Sequence, residues 1–531
     1  MQNQNSSPNG TPPSGAPGGT SSGQSSSVTH SGATELTTDT SLSDQSYSST
    51  SSAENALLVS GATVNLSSPT ITKTGDDSGD NSDFYGTNAA VFAYDDATLN
   101  ITGGEITTNG SHANAVFAYG TGTINISDTQ IITSSNNSGG IMVTGGGTLT
   151  ATNLTVETSG NSSAPIRSDR GGGNITVTGG TYTSHGTGSP AIYSTADITV
   201  KNASLTATAS EGIVIEGLNS VILESTTVTD TNTTLNGNSE TYKNIFIYQS
   251  MSGDAETGTG TFTAKNSVFT TNQGDHFFIT NTTAIINLAG NTFINNDSSG
   301  AFLRAASGKW GTSGSNGGNV TLNTTSQEIT GDIIIDSVSS LDFNLTTSYF
   351  KGAIANDGTV NLTVDASSII VLTGNSYVSA LTNAVSDNSN IYANGYTLYV
   401  NGSEVSTNQD AAPESFLDGA TTVVVDENTE ITTGETQSVT NSDTSSSIDM
   451  PLLISGIVGG IFIVAIIVAL VIKLTKDRQK PRSDATLPPA RIPGAQAPAA
   501  PHTAESPAPG ASQSAPATSQ PQGQKTSTPG Q

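Results

Sequence analysis

Residues 89–108 read AAVFAYDDATLNITGGEITT, and residues 114–133 read NAVFAYGTGTINISDTQIIT. The two segments begin 25 positions apart, and a third copy, GGIMVT at residue 139, begins 25 positions after the second. Each copy starts with an apolar run, and shorter runs that alternate apolar and polar residues follow it. Alternation with a period of two predicts β-strands, and self-similarity at a fixed period predicts a repeat architecture. We therefore expect three short strands in each repeat.

The repeat extends over residues 55–405. Equivalent apolar runs begin with NALLVS at residue 55 and end with GAIAND at residue 352. Strands of four or five residues cannot each bury a face alone, but they can when successive coils stack. The sequence therefore predicts an all-β chain whose main part is a parallel β-helix of about twelve coils.

One position of the first strand is apolar in every coil. The residues at this position are Leu57, Val91, Val116, Ile141, Ile166, Ile192, Ile213, Ile245, Phe277, Phe302, Ile333 and Ile354. Such a column predicts the inward face of a buried parallel sheet, where aliphatic side chains stack from coil to coil. We call it the inward ladder.

The outward positions of the same strand are rich in aromatic and charged residues. We call them the outer strip, and we predict that its members bind a ligand. The predicted ligand-binding residues are Phe92, Tyr94, Phe117, Tyr119, Arg167, Asp169, Tyr193, Glu216, Phe246 and Tyr248. Sugar rings stack on aromatic faces and hydrogen-bond at their edges, so the strip suits a polysaccharide or surface glycan. The open alternative is that loops or the N-terminal arm cover the strip, since insertions at 231–242, 249–260 and 307–319 flank it.

Two other kinds of site have weaker sequence support. The best candidate for a catalytic group consists of Ser168, Asp169 and Arg170, with Arg167 and Glu216 on neighbouring coils. The same residues fit an exposed ion pair equally well. We therefore predict no catalytic residue. The acidic segment from Asp76 to Asp83 offers oxygen ligands for calcium but lacks the spacing of an EF-hand loop. We predict no cofactor and leave calcium open.

The C-terminal part contains a predicted membrane span. Residues 451–472 carry no charge, Asp449 precedes them, and Lys473, Lys476 and Arg478 follow them. Twenty or so apolar residues cross a bilayer as a helix, and the basic flank is expected on the cytoplasmic side. The sequence thus predicts a single-pass plasma-membrane protein with an extracellular N-terminal part.

Composition divides the chain and excludes some functions. The predicted segments are a disordered arm at 1–54, the β-helix at 55–405, an acidic stalk at 406–449, the transmembrane helix at 450–473, and a basic juxtamembrane segment with a Pro/Ala-rich tail at 474–531. The net charge of −28 argues against nucleic acid as a partner. The chain has no cysteine, which excludes disulfides, thiolate zinc sites and cysteine nucleophiles.

The repeated units resemble those of bacterial surface proteins with right-handed parallel β-helices. The units that carry this resemblance are TLNITGGEITTNG, NITVTGGTYTS and DITVKNASLTATASEGIVIEG. They are similar to a carbohydrate-binding β-helix family related in shape to pectate lyases. The resemblance implies a right-handed helix, an extracellular polysaccharide ligand with optional calcium, and no obligatory catalysis. Our interpretation is a cell-surface protein that binds polysaccharide or mediates adhesion. The alternatives are an extracellular polysaccharide lyase or hydrolase and a structural envelope spacer.

Overall fold

The structure is a computed structural model that describes residues 28–235, 241–414, 425, 426 and 429. Its strands stack in parallel, coil upon coil, around one continuous apolar interior. This arrangement confirms the predicted parallel β-helix and its repeat. Strands pair with the equivalent strands of the next coil. This pairing satisfies the backbone N–H and C=O groups of strands that are too short to form a sheet of their own.

Sheet 1 has 13 parallel strands and carries the inward ladder on one face and the outer strip on the other. Its strands are Gly32–Leu36, Asn55–Ser60, Val91–Tyr94, Val116–Tyr119, Ile141–Thr144, Ile166–Ser168, Ile192–Ser194, Ile213–Glu216, Lys243–Tyr248, Asp275–Thr280, Leu303–Ala305, Ile333–Ile335 and Ile354–Asn356.

The second and third strands of each coil form two further stacks, sheets 2 and 3. Sheet 2 contains Thr40–Ser43, Thr63–Ser67, Thr98–Thr102, Thr123–Ser127, Asp197–Lys201, Ser220–Glu224, Thr259–Lys265, Thr282–Ala289, Gly318–Thr325, Ser340–Thr346, Thr359–Val364 and Ala380–Asn383. Sheet 3 contains Ser46–Ser49, Thr70–Lys73, Glu105–Thr108, Gln130–Thr133, Ser204–Ala207, Thr227–Asp230, Val268–Thr271 and Thr292–Asn295. Two longer strands, Gly147–Thr158 and Gly173–Ser184, run through both stacks and join them.

The last coils add two small sheets. One short helix lies earlier in the chain. One of the two sheets is a four-stranded parallel sheet that consists of Glu328–Thr330, Tyr349–Gly352, Ile369–Leu372 and Ile391–Tyr392. Ser376–Val378 and Leu398–Val400 pair in parallel, and Ser403–Glu404 pairs with the latter antiparallel. The helix Asp80–Tyr85 lies in an insertion between the second and third strands of sheet 1.

The chain turns sharply between its strand in sheet 2 and its strand in sheet 3. This turn explains why Asn, Asp, Ser and Gly residues separate the alternating runs of the sequence. A residue with left-handed backbone dihedrals stands there in coil after coil, for example Asp128, Asn153 and Asn202, each with φ between 53° and 56°. Only Gly, and to a lesser degree Asn and Asp, adopts this conformation readily. The separators therefore turn each coil sharply enough for the next strand to begin.

The inward ladder is confirmed with one change of register. Val91, Val116, Ile141, Ile166 and Ile192 are directly stacked and fully buried. In the coil near residue 300, however, Phe277 stacks on Leu303, not on Phe302, and Leu303 stacks on Ile333. Both Phe302 and Leu303 are apolar and buried. Apolar pattern alone therefore could not distinguish the two registers.

The N-terminal boundary of the β-helix lies earlier than predicted. Residues 32–49, assigned to the disordered arm, form three strands that stack on the coil beginning at Asn55. Their few apolar residues, such as Leu36, Leu42 and Tyr47, pack against the core. Because the neighbouring coil supplies most of the buried surface, a Ser/Thr-rich segment suffices for an end coil. Residues 1–27 of the predicted arm lie outside the described residues.

The predicted stalk is described only in part, and the predicted span is not described. Pro413 belongs to the stalk and follows the last coil. Its carbonyl accepts a hydrogen bond from the Tyr349 hydroxyl (3.0 Å). Asn266 and Val425 exchange two hydrogen bonds of 2.9 Å, so residue 425 lies beside a coil well before the end of the helix. Residues 450–473 and the tail fall outside the described residues. Within the part that is described, no helix is long and apolar enough to cross a membrane.

Candidate functional site

The N-terminal part of the outer strip is covered by other parts of the chain. Phe92 and Phe117 are fully buried in a cluster with Leu58 and Met142, while Tyr94 and Tyr119 lie at its edge. The rings are in contact across coils, with the centroids of Phe92 and Phe117 5.8 Å apart. A ligand therefore cannot reach these two phenylalanine rings in the arrangement described.

The cover consists of the helix insertion and the first described residues. His30 stacks on Phe92 at 4.6 Å, and Tyr85 meets Tyr119 edge-on at 5.9 Å. The Thr144 hydroxyl donates a hydrogen bond to the Phe84 carbonyl (2.7 Å), which anchors the helix over the strip. Gly86 has a positive φ, and a Cβ atom there would lie 2.5 Å from the Phe92 ring. These contacts match the alternative in which a covering segment accounts for this part of the strip.

The C-terminal part of the strip is packed in a different way. Phe246, Tyr248 and Phe278 form a second cluster, and Tyr193 and Trp310 pack against it. Phe246 stacks on Tyr248 at 4.3 Å, and Trp310 from the insertion at 307–319 lies 5.8 Å from Tyr248. Phe246 and Tyr248 are thus largely buried, and their packing leaves little ring surface for a ligand.

A cavity of about 360 Å³ lies between the two clusters, and we call it the strip cavity. Its walls contain three residues predicted as ligand-binding, Arg167, Asp169 and Tyr193. The lining residues are Phe84, Ser162, Ala164, Arg167, Asp169, Gly188, Pro190, Tyr193 and Asp254. Pockets for small ligands have volumes from about 300 Å³ upward, so the cavity is large enough for a sugar unit.

The sheet and two insertions position the walls of the cavity. Arg167 and Tyr193 are paired on adjacent strands of sheet 1, so their side chains leave the same face one coil apart. Phe84 comes from the helix insertion and Asp254 from the insertion at 249–260. The base is therefore rigid sheet, while the upper walls come from loops, an arrangement typical of binding sites.

Two ion pairs organise the charges of the strip cavity. Arg167 Nη2 lies 3.0 Å from Asp169 Oδ2, and Arg167 Nη1 donates to the Ser162 carbonyl at 3.1 Å. Arg170 Nε lies 2.9 Å from Asp254 Oδ1, and its guanidinium carbon lies 3.7 Å from the centroid of the Phe84 ring. Arg170 thereby connects the two insertions that form the upper walls.

Burial changes the proton affinity of Asp169. Removal of its carboxyl group from water raises the pKa of Asp169 to about 7, although the neighbouring Arg167 opposes this change and Asp254 adds to it. An ionised carboxylate is disfavoured when water cannot solvate it. Asp169 is therefore able to gain or lose a proton near neutral pH.

Glu216 does not line the cavity but is hydrogen-bonded to Tyr193, which does. The Tyr193 hydroxyl donates to Glu216 Oε2 at 2.7 Å, and the Ser250 hydroxyl donates to Glu216 Oε1. Ser252 Oγ lies 2.7 Å from Ser250 Oγ and donates to Asp254 Oδ2 at 2.7 Å. Burial also raises the pKa of Glu216. Glu216 thus connects Tyr193 on the sheet with the loop that presents Asp254.

The candidate catalytic group is not assembled as one site. Ser168 is fully buried, and its hydroxyl accepts a hydrogen bond from the Thr195 amide at 2.7 Å. Asp169 is the member that lines the cavity together with Arg167, while Glu216 lies outside the lining. Ser168 is therefore not a lining residue of this cavity.

The acidic segment at 76–83 directs its carboxylates to different partners. Asp77 accepts hydrogen bonds from Ser82 and Ser52, and Asp83 lies 2.9 Å from His112 Nδ1. Asp80 lies 3.8 Å from Arg170. In the described ranges, no group of three or more His, Cys, Asp or Glu side chains is placed to hold a metal ion.

Sequence reasoning missed Phe84, Pro190 and Asp254 as members of the site. Phe84 and Asp254 lie in insertions, where no repeat pattern predicts the position of a side chain. The only available signal was the location of the insertion at 249–260 beside the outer strip.

Comparisons with protein-family models, with curated proteins and with solved structures give no match for this chain. The resemblance to carbohydrate-binding β-helix proteins therefore depends on the coil pattern alone.

Proposed function

We propose that this chain is a membrane-anchored cell-surface protein whose β-helix binds a polysaccharide or surface glycan in the strip cavity. The observation that carries the proposal is the combination of the Phe84 and Tyr193 rings with the charged groups of Arg167, Asp169 and Asp254 around one concavity. Sugar recognition needs an apolar face for the ring and hydrogen-bonding groups for its hydroxyls.

The described contacts support this assignment over binding across the whole outer strip. Phe92 and Phe117 are covered, whereas Tyr193 and Phe84 line open space. The Tyr193 ring is held in place because its hydroxyl is bonded to Glu216. A ring fixed before binding loses little conformational entropy when a ligand stacks on it.

A glycan array probed with the purified full chain tests this proposal. We expect saturable binding of particular glycans, and about fivefold weaker binding by Phe84→Ala, because one stacked ring contributes about 1 kcal/mol. Tyr377→Ala is the matched control, since Tyr377 is 44% exposed, lies on the last coils and is not a lining residue. Equal losses for both variants, or no glycan bound at all, would remove the proposed site.

The membrane anchor is part of the proposal and is supported by the apolar, uncharged residues 451–472 with basic residues after them. A protease added outside intact cells is expected to release the β-helix and leave a fragment that contains the span and tail. Recovery of the intact chain from treated cells, with release only after lysis, would contradict the extracellular placement.

A polysaccharide lyase or hydrolase is the second candidate, favoured by one observation. Asp169, whose pKa is raised to about 7, lies in the cavity with the carboxylate of Asp254 on another wall. A carboxyl group with such a pKa can transfer protons near neutral pH. Incubation with the glycan found on the array distinguishes the candidates. New reducing or unsaturated ends that disappear in Asp169→Asn indicate an enzyme, and binding without products indicates a binding protein.

A further inference from the structure

We infer that the strip cavity selects an uncharged sugar and rejects sugars that carry a carboxylate or sulfate. This inference rests on the proposed saccharide binding and names the class of sugar that the site takes. It is drawn from the arrangement of charged side chains around the cavity.

The cationic groups at the cavity are already paired. The Arg167 guanidinium is bonded to Asp169 and to the Ser162 carbonyl. The Arg170 guanidinium lies against Asp254 and Asp80, and its flat face rests on the Phe84 ring. An anionic sugar needs an arginine or lysine that can turn its donors to the ligand. In the described structure, each of the two guanidinium groups is thus already neutralised by at least one carboxylate.

The carboxylates that pair with these arginines line the cavity themselves and are hydrogen-bond acceptors. Asp169 and Asp254 present carboxylate oxygens from two different walls. Carboxylates accept hydrogen bonds from sugar hydroxyls, and such bonds are stronger than those between neutral groups. The same carboxylates repel an anionic ligand, and the repulsion is strong where burial excludes water.

The charge of the whole chain acts in the same direction. A net charge of −28 produces a negative potential that slows the approach of polyanions. This long-range contribution weakens with salt, whereas repulsion inside the cavity is screened much less. Selectivity that persists at high salt would therefore originate in the cavity.

Matched pairs of methyl glycosides test the inference with the purified full chain. Glucose and galactose glycosides are compared with the corresponding glucuronide and galacturonide, which differ only in the group at carbon 6. Calorimetric titration is expected to give at least about tenfold tighter binding of the neutral member in any pair that binds. Equal or tighter binding of the uronide would overturn the inference.

Two variants assign the selectivity to the cavity. Asp254→Asn removes one carboxylate from the cavity and one of the two carboxylates near Arg170, and we expect the neutral-to-uronide affinity ratio to fall about tenfold. Asp169→Asn is expected to change the ratio in the same direction and serves if the first variant melts at a lower temperature than the parent. Asp342→Asn, an exposed position on sheet 2, is the control for net charge. A ratio unchanged by both cavity variants would overturn the assignment.

The array result separates this inference from the proposed function. If the chain binds only uronate-containing or sulfated glycans, saccharide binding stands and the selectivity inferred here is wrong. If the chain binds no glycan of any class, the proposed function fails and the inference fails with it.

Discussion

Replacement of Phe117 with Ala tests whether the outer strip is covered. Phe117 is fully buried beneath the helix insertion, and its ring lies 5.8 Å from that of Phe92. A buried Phe→Ala change removes the transfer free energy of the ring and leaves a cavity, which together cost about 3 to 5 kcal/mol. An aromatic platform open to ligand would lose much less, because its ring would be partly solvated in the folded state.

Urea unfolding followed by circular dichroism gives the change in the free energy of unfolding, and titration with an array-selected glycan gives the affinity of the same protein. We expect a large loss of stability in Phe117→Ala and unchanged affinity per folded molecule. Tyr377→Ala is the control, because its ring is half exposed and stacks on Tyr399. A destabilisation below about 1 kcal/mol by Phe117→Ala, or weaker binding by the folded variant, would refute the covered arrangement.

Two further predictions concern the core and the charged cavity. Ile192→Asp places an unpaired carboxylate in the fully buried inward ladder and is expected to destabilise the β-helix by at least about 4 kcal/mol; an unchanged thermal melt would contradict the register. Because burial raises the folded-state pKa of Asp169 to about 7, the folded chain binds more protons than the unfolded chain between about pH 4 and 7. This contribution to stability is fully present at low pH and is lost as the pH rises through about 7. Asp169→Asn is therefore expected to gain stability relative to the parent between pH 5 and 8, measured by melting temperature, and a constant difference would refute the raised pKa.

The repeat pattern was sufficient to predict the β-helix because one rule holds in every coil. An inward residue must be apolar and must stack on its equivalent, so positions such as Ile141 and Ile166 are recognisable in the sequence alone. The rule failed where two adjacent residues both satisfy it, at Phe302 and Leu303. It also failed at the N-terminal end. Apolar residues such as Leu36 and Leu42 are too few there for the sequence alone to indicate a coil.

The outer strip could not be interpreted from the sequence in the same way. Sequence alone placed Phe92, Phe117 and Tyr193 in one outward column, because strand alternation is a local property. Whether a ring in that column is covered or open depends on where the insertions fold, and no repeat constrains them. Phe117 lies under the helix at 80–85, whereas Tyr193 lines a cavity completed by Asp254. The sequence by itself therefore determined the coil, the ladder and the outward column, since these follow from short-range alternation. Only the tertiary structure decided which part of that column is accessible, since accessibility depends on contacts such as that of Arg170 with Asp254, which join residues 84 positions apart.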